Sequence, residues 1–263
     1  MKLSRKLQKL FSVGALESLW EHARRWTHPL NAQQFLDRLD PAAWKRLRDL
    51  YPYRSDARKI NKYDDAAYWM GVNAERAQDL WLDRSPPLRI LDLGSGAGYF
   101  LYICESLGHE ALGLDTDTEP LFHGTTAVLN VRRIIWRINP GEPLPDLTGK
   151  FDLLSAHRVC FNRISRAPDD NWNEWTPADW RFFINDIRTR FLRPGGRLLL
   201  DFNPRPDGRT FFTPELRAYF LSEGARIFRS KALFAADPAQ RPRFKVTGRG
   251  DYAPASASKS VAL

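Results

Sequence analysis

Residues 88–100 read LRILDLGSGAGYF, and this stretch limits the fold more than any other. An apolar strand pattern runs to Leu93, glycines follow at 94, 96 and 98, and an apolar helical run begins at Tyr99. A strand that turns through glycines into a helix is the unit of an open α/β sheet, in which bare backbone meets a ligand beyond the strand's carboxyl end. The chain downstream keeps the alternation. EALGLD is a strand pattern, EPLFHGTTAVLNV a helix, RRIIWRI a strand and FDLLSA a buried strand. TPADWRFFINDIRTRFL is a helix opened by Thr176, Pro177 and Asp179. RPGG turns the chain into the buried strand RLLLDFN, and TPELRAYFLSEG repeats the Thr-Pro opening. RIFRSKALFAA and RFKVTGRG read as a terminal antiparallel pair. The predicted class is α/β: a doubly wound, mostly parallel seven-stranded sheet with an antiparallel terminal strand.

Helical patterns near 15–26, 31–50 and 64–83 make residues 1–84 an N-terminal helical extension, with the second helix split at Asp40-Pro41. Residues 85–249 form the ligand-binding domain, and 250–263, small and polar, a disordered tail. In residues 2–11, Leu3, Leu7, Leu10 and Phe11 share one helical face and the lysines lie elsewhere. That pattern suits first a helix docked on, or frayed from, the domain, and second a weak contact with a membrane surface. No run approaches the ~18 apolar residues of a spanning helix. The basic N-terminus lacks the apolar core of a secretory signal. Cys104 and Cys160 show no metal-like spacing, so reduced thiols, no metal site and a cytoplasmic protein are expected. Oligomeric state is not readable.

The net charge of +9 sits on the flanks. Residues 1–60 carry 13 Lys/Arg against 6 Asp/Glu, residues 226–263 carry 8 against 2, and residues 61–225 carry 19 against 23. The segment with the glycine loop is mildly acidic, which tells against a nucleic-acid substrate.

Three ligands compete for the glycine loop. A phosphate-binding P-loop needs Lys and Ser or Thr after its last glycine, and neither follows Gly98. A dinucleotide site needs glycine at the sixth position, where this chain has Tyr99. S-adenosylmethionine remains. DLGSGAG is similar to the D/E-x-G-x-G-x-G signature of class I S-adenosylmethionine-dependent methyltransferases. LGLD ending in Asp115, PLPDLTGKFDLLSA and FLRPGGRLLLDFN match that family's second, fourth and fifth strands in order. The resemblance covers about residues 62–249. It implies a cofactor site at Asp92, Gly94, Ser95, Gly96, Gly98 and Tyr99, with the Asp115 carboxylate accepting both ribose hydroxyls. Many members have an acidic residue after the third strand that bonds the adenine amino group. Here the stretch is INPGE, in which Asn139 can accept that bond and Pro140 cannot.

Methyl transfer from a sulfonium needs alignment and desolvation, and a base only when the acceptor arrives protonated. His157, at the end of the fourth strand, is the candidate base; the alternative is a histidine bonded into the local turn or closing over the cofactor. Asp152, at the start of that strand, reads as structural. Arg158 and Asn162 are candidate substrate contacts. The connection RISRAPDDNWNEWTPADW carries Trp172 and Trp175 among carboxylates, which suits a sugar or another flat, hydroxylated acceptor or, alternatively, anchors on the N-terminal helices. The expected function is methyl transfer to a small molecule or a glycan or lipid precursor, at oxygen. The alternatives are an RNA or DNA methyltransferase and a non-catalytic S-adenosylmethionine-binding partner protein.

Overall fold

The computed structural model describes residues 27, 29–51, 61–116, 118–161, 174–205, 210–240 and 242. Segments 2–11, 15–26 and 250–263, and the stretch RFKVTGRG, lie outside them. Local chemistry sets the helix starts. The predicted break at Pro41 separates α1 (Gln33–Leu36) from α2 (Pro41–Leu50), because proline has no N–H to continue a helix and is tolerated in its first turn. Asp40 caps α2 by accepting from Ala42 N at 2.8 Å. Asp65 caps α3 (Ala66–Asp79) through Tyr68 N at 2.9 Å. Helix α4 (Tyr99–Ser106) starts directly after Gly98, and α5 (Pro120–Val128) has proline in its first turn. The capping box of Thr176 and Asp179 opens α6 (Pro177–Asp186), and Thr213 opens α7 (Pro214–Ser222).

The strands are β1 (Arg89–Leu93), β2 (Glu110–Asp115), β3 (Arg133–Ile135), β4 (Phe151–His157), β5 (Leu192–Asp201), β6 (Arg226–Phe228) and β7 (Lys231–Ala235). They form one sheet in the order β3-β2-β1-β4-β5-β7-β6, with β7 antiparallel to both neighbours and the other pairs parallel. Alternation along the strands divides the core into two layers. Ile90, Leu153, Leu199 and Leu233 pack with Met70, Ala74 and Ala77 of α3 and Leu101 of α4. Leu91, Leu93, Leu154 and Ala156 pack with Trp180, Phe183 and Phe220 of α6 and α7.

Two local features are finer than the sequence reading. RFKVTGRG lies outside the described residues. RIFRSKALFAA itself folds back, as β6 and β7, through Arg229 and Ser230, with Arg229 at φ +49°. A two-residue hairpin turn usually advertises itself with Gly or Asn at positive φ, and an Arg there gives no such signal. RPGG, read as a turn before the fifth strand, lies within β5. Phe151 pairs with Leu192 and Leu153 with Arg197, so residues 193–196 bulge out of a continuous strand. No helix among the described residues is long and apolar enough to cross a membrane.

Candidate active site

Strand register builds the site. Leu93 pairs with Leu114 on one side and Ala156 on the other, so the carboxyl ends of β1, β2 and β4 are level. The next residues, Gly94, Asp115 and His157, therefore share one edge. Gly94 N and Ser95 N donate to Leu114 O at 2.7 and 3.2 Å, tying the loop to β2. Gly94, Gly96 and Gly98 hold φ of +68°, +55° and +82°, so the loop coils back on itself before α4 begins. Gly96 N donates to Asp115 Oδ2. Burial raises the Asp115 carboxyl above its ordinary value, and the Gly96 N–H pulls it back down.

Under the loop lies a buried polar cluster on the α3–α4 side of the sheet. Asp92 is 3% exposed and accepts from Ser155 Oγ at 2.7 Å, its direct cross-strand neighbour. Burial pushes Asp92 up to about 7, against the Ser155 hydrogen bond and Arg76. Arg76 of α3 donates to Asn73 Oδ1 at 2.9 Å, and Asn73 donates to Trp69 O at 2.9 Å. Burial lowers the Arg76 pKa, with Asp92 and Asp201 opposing. His157 stacks edge-on against Phe100, with ring centroids 4.6 Å apart. Its two ring nitrogens are buried without a hydrogen-bond partner, as is Ser95 Oγ. Burial, then Arg76, Lys231 and Arg158, hold His157 well below its ordinary 6.5, so the ring is neutral at physiological pH.

Asp92 makes the unliganded protein pH-sensitive in a defined direction. A carboxyl raised in the folded state contributes stability that is full below its unfolded pKa of ~3.9 and is lost as pH rises through about 7. An ammonium group bound beside Asp92 reverses the shift and expels the proton. Binding of an amino-acid-bearing ligand just below neutral pH is therefore expected to release roughly half a proton or more. Calorimetry in buffers of different ionisation enthalpy reads this directly, and Asp92→Asn should abolish it. Equal heats in all buffers would show that no such group approaches Asp92.

The remaining expected residues are placed as follows. Tyr99 is buried, but its hydroxyl donates to Tyr63 O at 2.6 Å, so its polar end faces the segment before α3. Asn139 donates to Glu142 Oε2 at 2.8 Å in the connection after β3. Arg158, at φ +60°, pairs with buried Asp201 at 3.3 Å, and its backbone N donates to Asp201 O at 2.8 Å. Trp175 is 4% exposed, inside an aromatic cluster with Phe161 and Trp180. Asn162 and Trp172 lie outside the described residues. Asp152 accepts from Arg89 N at 2.7 Å and pairs with Arg193 at 3.0 Å, at the opposite end of β4 from the glycine loop.

Sequence reasoning missed Arg76 and Asn73, because α3 reads as part of a helical extension. One signal was available. Residues 70, 73, 74 and 77 share one helical face, and an Asn among Met and two Ala is out of place unless something polar faces it. Val159 was missed too; an added Cβ on Gly94 would lie 2.5 Å from its Cγ2, so it packs directly on the loop.

No family model and no curated protein matches the chain. Solved structures do. DesVI of Streptomyces venezuelae is 16% identical with a TM-score of 0.42, over 59% of this chain and 61% of that one. An amino pentose methyltransferase from Micromonospora echinaspora, involved in calicheamicin biosynthesis and solved with S-adenosylmethionine bound, is 22% identical with a TM-score of 0.39, over 53% and 52%. A ribosomal protein L11 methylase from Lactobacillus delbrueckii subsp. bulgaricus is 17% identical with a TM-score of 0.37, over 63% and 79%. The chain spans 52–66% of the length of the first three structures it matches. The seven-stranded, mostly parallel sheet, with β7 reversed beside β5, agrees with the predicted class. It is a doubly wound α/β fold. Within it, the level edge of β1, β2 and β4 and the polar cluster beneath form the candidate active site.

Proposed function

We propose that the chain is an S-adenosylmethionine-dependent methyltransferase acting on a small molecule or a glycan or lipid precursor, with oxygen the atom methylated. The observation that carries the reading is the left-handed glycine loop bonded to Asp115 across the edge from β1 to β2. The residues present fit the cofactor. Asp115 retains acceptor capacity for ribose hydroxyls beside its bond to Gly96. Asp92 and Arg76 offer opposite charges to an ammonium and a carboxylate, and the buried Ser95 hydroxyl and His157 nitrogens have no partner within the protein. Asn139 and the loop around Tyr99 complete the proposed cofactor site. When bound, the cofactor supplies an electrophilic methyl group on a sulfonium.

The protein's own part is to align, exclude water and receive a proton. Phe100 and the strand ends keep the site dry, which strengthens the charges there. Neutral His157 is in the form that accepts a proton from an acceptor hydroxyl on a ring nitrogen. His157→Ala is expected to lower turnover by about 100-fold or more, with S-adenosylhomocysteine affinity nearly unchanged. In the parent enzyme, the loss of turnover due to His157 protonation should appear only well below pH 6.5. Normal turnover in the variant removes the base assignment.

Arg158, Asn162, Trp172 and Trp175 are proposed as acceptor contacts. Residues 1–84 as an extension, 85–249 as the catalytic unit and 250–263 as a tail belong to the same proposal. The test of the whole is titration with S-adenosylmethionine, followed by a metabolite-extract screen that traces its labelled methyl. Absence of binding at millimolar concentration refutes it.

A further inference from the structure

Arg158 follows β4 with its backbone at φ +60°, a left-handed conformation uncommon outside glycine, asparagine and aspartate. Three ties hold it there. Its N–H donates to Asp201 O at 2.8 Å, its carbonyl accepts from Asn203 Nδ2 at 2.8 Å, and its Nε lies 3.3 Å from Asp201 Oδ2. Asp201 is itself fixed, because it is buried and its Oδ1 accepts from Ser230 Oγ at 2.6 Å. Strained residues held by their surroundings in this way cluster at ligand-binding and catalytic sites. The neighbours in the chain place Arg158 at this one. His157 stacks on Phe100 before it, and Val159 packs on Gly94 after it. The side chain keeps 41% of its surface exposed, and among the described residues its Nη groups have no hydrogen-bond partner. With Nε tied to Asp201, what remains is the Nη pair, a planar fork of N–H donors.

Charge points the same way. Asp201 attracts Arg76 as well as Arg158, and the two guanidiniums repel each other. Lys231 is taken by Asp79 at 2.8 Å. Two guanidiniums thus share one carboxylate around Asp201, before the sulfonium of the proposed cofactor adds its own charge. A cationic acceptor would meet repulsion from both. An uncharged one that covered Arg158 would strip water from the guanidinium and return no charge. A phosphate dianion would find a single fork, whereas a carboxylate matches two N–H groups with two oxygens. We propose that Arg158 recognises the methyl acceptor, and that the acceptor is a carboxylic acid whose carboxylate pairs with the Nη fork while the oxygen to be methylated lies at His157. Asp201 and Asn203 are positioning residues that hold the fork. The acceptor role rests on the methyltransferase reading; the affinity for a carboxylate does not. A bound carboxylate also offsets one of the cations that depress His157, so the acceptor strengthens the base beside it.

The probes are 4-hydroxybenzoate and its uncharged counterpart 4-hydroxybenzamide, which present the same ring and hydroxyl. Each is titrated by equilibrium dialysis against the protein in excess S-adenosylhomocysteine. The acid should bind about 10- to 100-fold tighter than the amide, the effect of charge-assisted hydrogen bonds to one guanidinium. Arg158→Asn removes the fork and supplies a residue suited to the left-handed backbone. It should erase the preference for the acid, leave the amide unchanged and keep S-adenosylhomocysteine affinity within about twofold. The proposal is overturned if the acid fails to bind at millimolar concentration, if it binds no tighter than the amide, or if the variant keeps the preference or weakens both probes alike. It is also overturned if the variant loses as much affinity for S-adenosylhomocysteine as for the acid, which assigns Arg158 to the cofactor. Inorganic phosphate that displaces the acid at lower concentration than acetate does replaces the carboxylate with a phosphate. Should the variant not fold, the ratio of acid to amide and the comparison of phosphate with acetate on the unmodified protein decide the matter. S-adenosylhomocysteine is titrated separately on the same preparation. Its binding without a preference for the acid overturns the carboxylate inference alone, whereas that preference without its binding overturns the acceptor role and the methyltransferase reading together.

Discussion

Asp115→Ala is expected to weaken S-adenosylmethionine binding by about 100- to 1,000-fold, the largest effect of any single side-chain truncation at the site. The carboxylate has two duties. It accepts the Gly96 N–H, which holds the middle of the loop in place, and it faces the proposed ribose position at the end of β2. Hydrogen bonds to a charged group contribute about 1.5–3 kcal/mol each, and losing two near the lower end of that range removes about 3–4 kcal/mol. At 1.4 kcal/mol per factor of ten, that is two to three decades of Kd. Asp115→Asn keeps one acceptor for the Gly96 amide and loses the charge, so its effect should fall between those of the parent and Ala. Calorimetric titration measures both, and an unchanged Kd in the Ala variant would falsify the cofactor assignment. Acidification should act in the same direction. Burial raises the Asp115 pKa, and affinity carried by the carboxylate is present above that value and lost as pH falls through it.

Gly98→Ala is expected to destabilise the fold by about 2–5 kcal/mol, a large share of the 5–15 kcal/mol that an ordinary domain has. Gly98 holds φ +82°, where a side chain costs about 1–2 kcal/mol. Its new Cβ would also lie 2.8 Å from Val131 Cγ2 and 2.9 Å from Thr126 Cγ2, and overpacking of that kind adds about 1–3 kcal/mol. Gly96 provides the contrast. It shares the left-handed backbone at φ +55°, but the nearest atom to an added Cβ is Phe122 Cε2 at 3.8 Å. Gly96→Ala should therefore show only the backbone term, about 1–2 kcal/mol. Because the Gly96 N–H is the one bonded to Asp115, Gly96→Ala should lose more ligand affinity than stability. Urea unfolding and calorimetry on the two variants test the pair. A Gly96 variant less stable than the Gly98 variant would contradict the packing described for the loop.

Two features at the sheet's end were not fully legible in the sequence, and they share a cause. Sequence punctuation is legible when the turn residue is one that the backbone requires, and both cases break that link. Arg229 takes a positive φ without being Gly or Asn, so the β6–β7 hairpin is silent in the sequence. Gly195 and Gly196 signal a turn, yet β5 continues past them with residues 193–196 bulged out. At the site, Asp92, Asp115 and the three glycines are legible because each follows directly from one strand and its own loop. Arg76, Asn73 and Val159 are not, since they reach the loop from segments with separate local patterns.

What the sequence determined by itself is the alternation of strands and helices and the glycine turn after β1, because both depend on residues near one another in the chain. Hydrophobic period, proline, glycine and capping residues act within a turn or two, and they suffice to define each unit. Only the tertiary structure decided which groups meet. Pairing Leu93 with Leu114 and Ala156 levels three strand ends, and that register sets Asp115 under Gly96 and Ser155 against Asp92. Packing α3 on the same face brings Arg76 to the carboxylates. Burial then moves Asp92 up and His157 down, an effect of the surrounding low-dielectric core that no local pattern encodes.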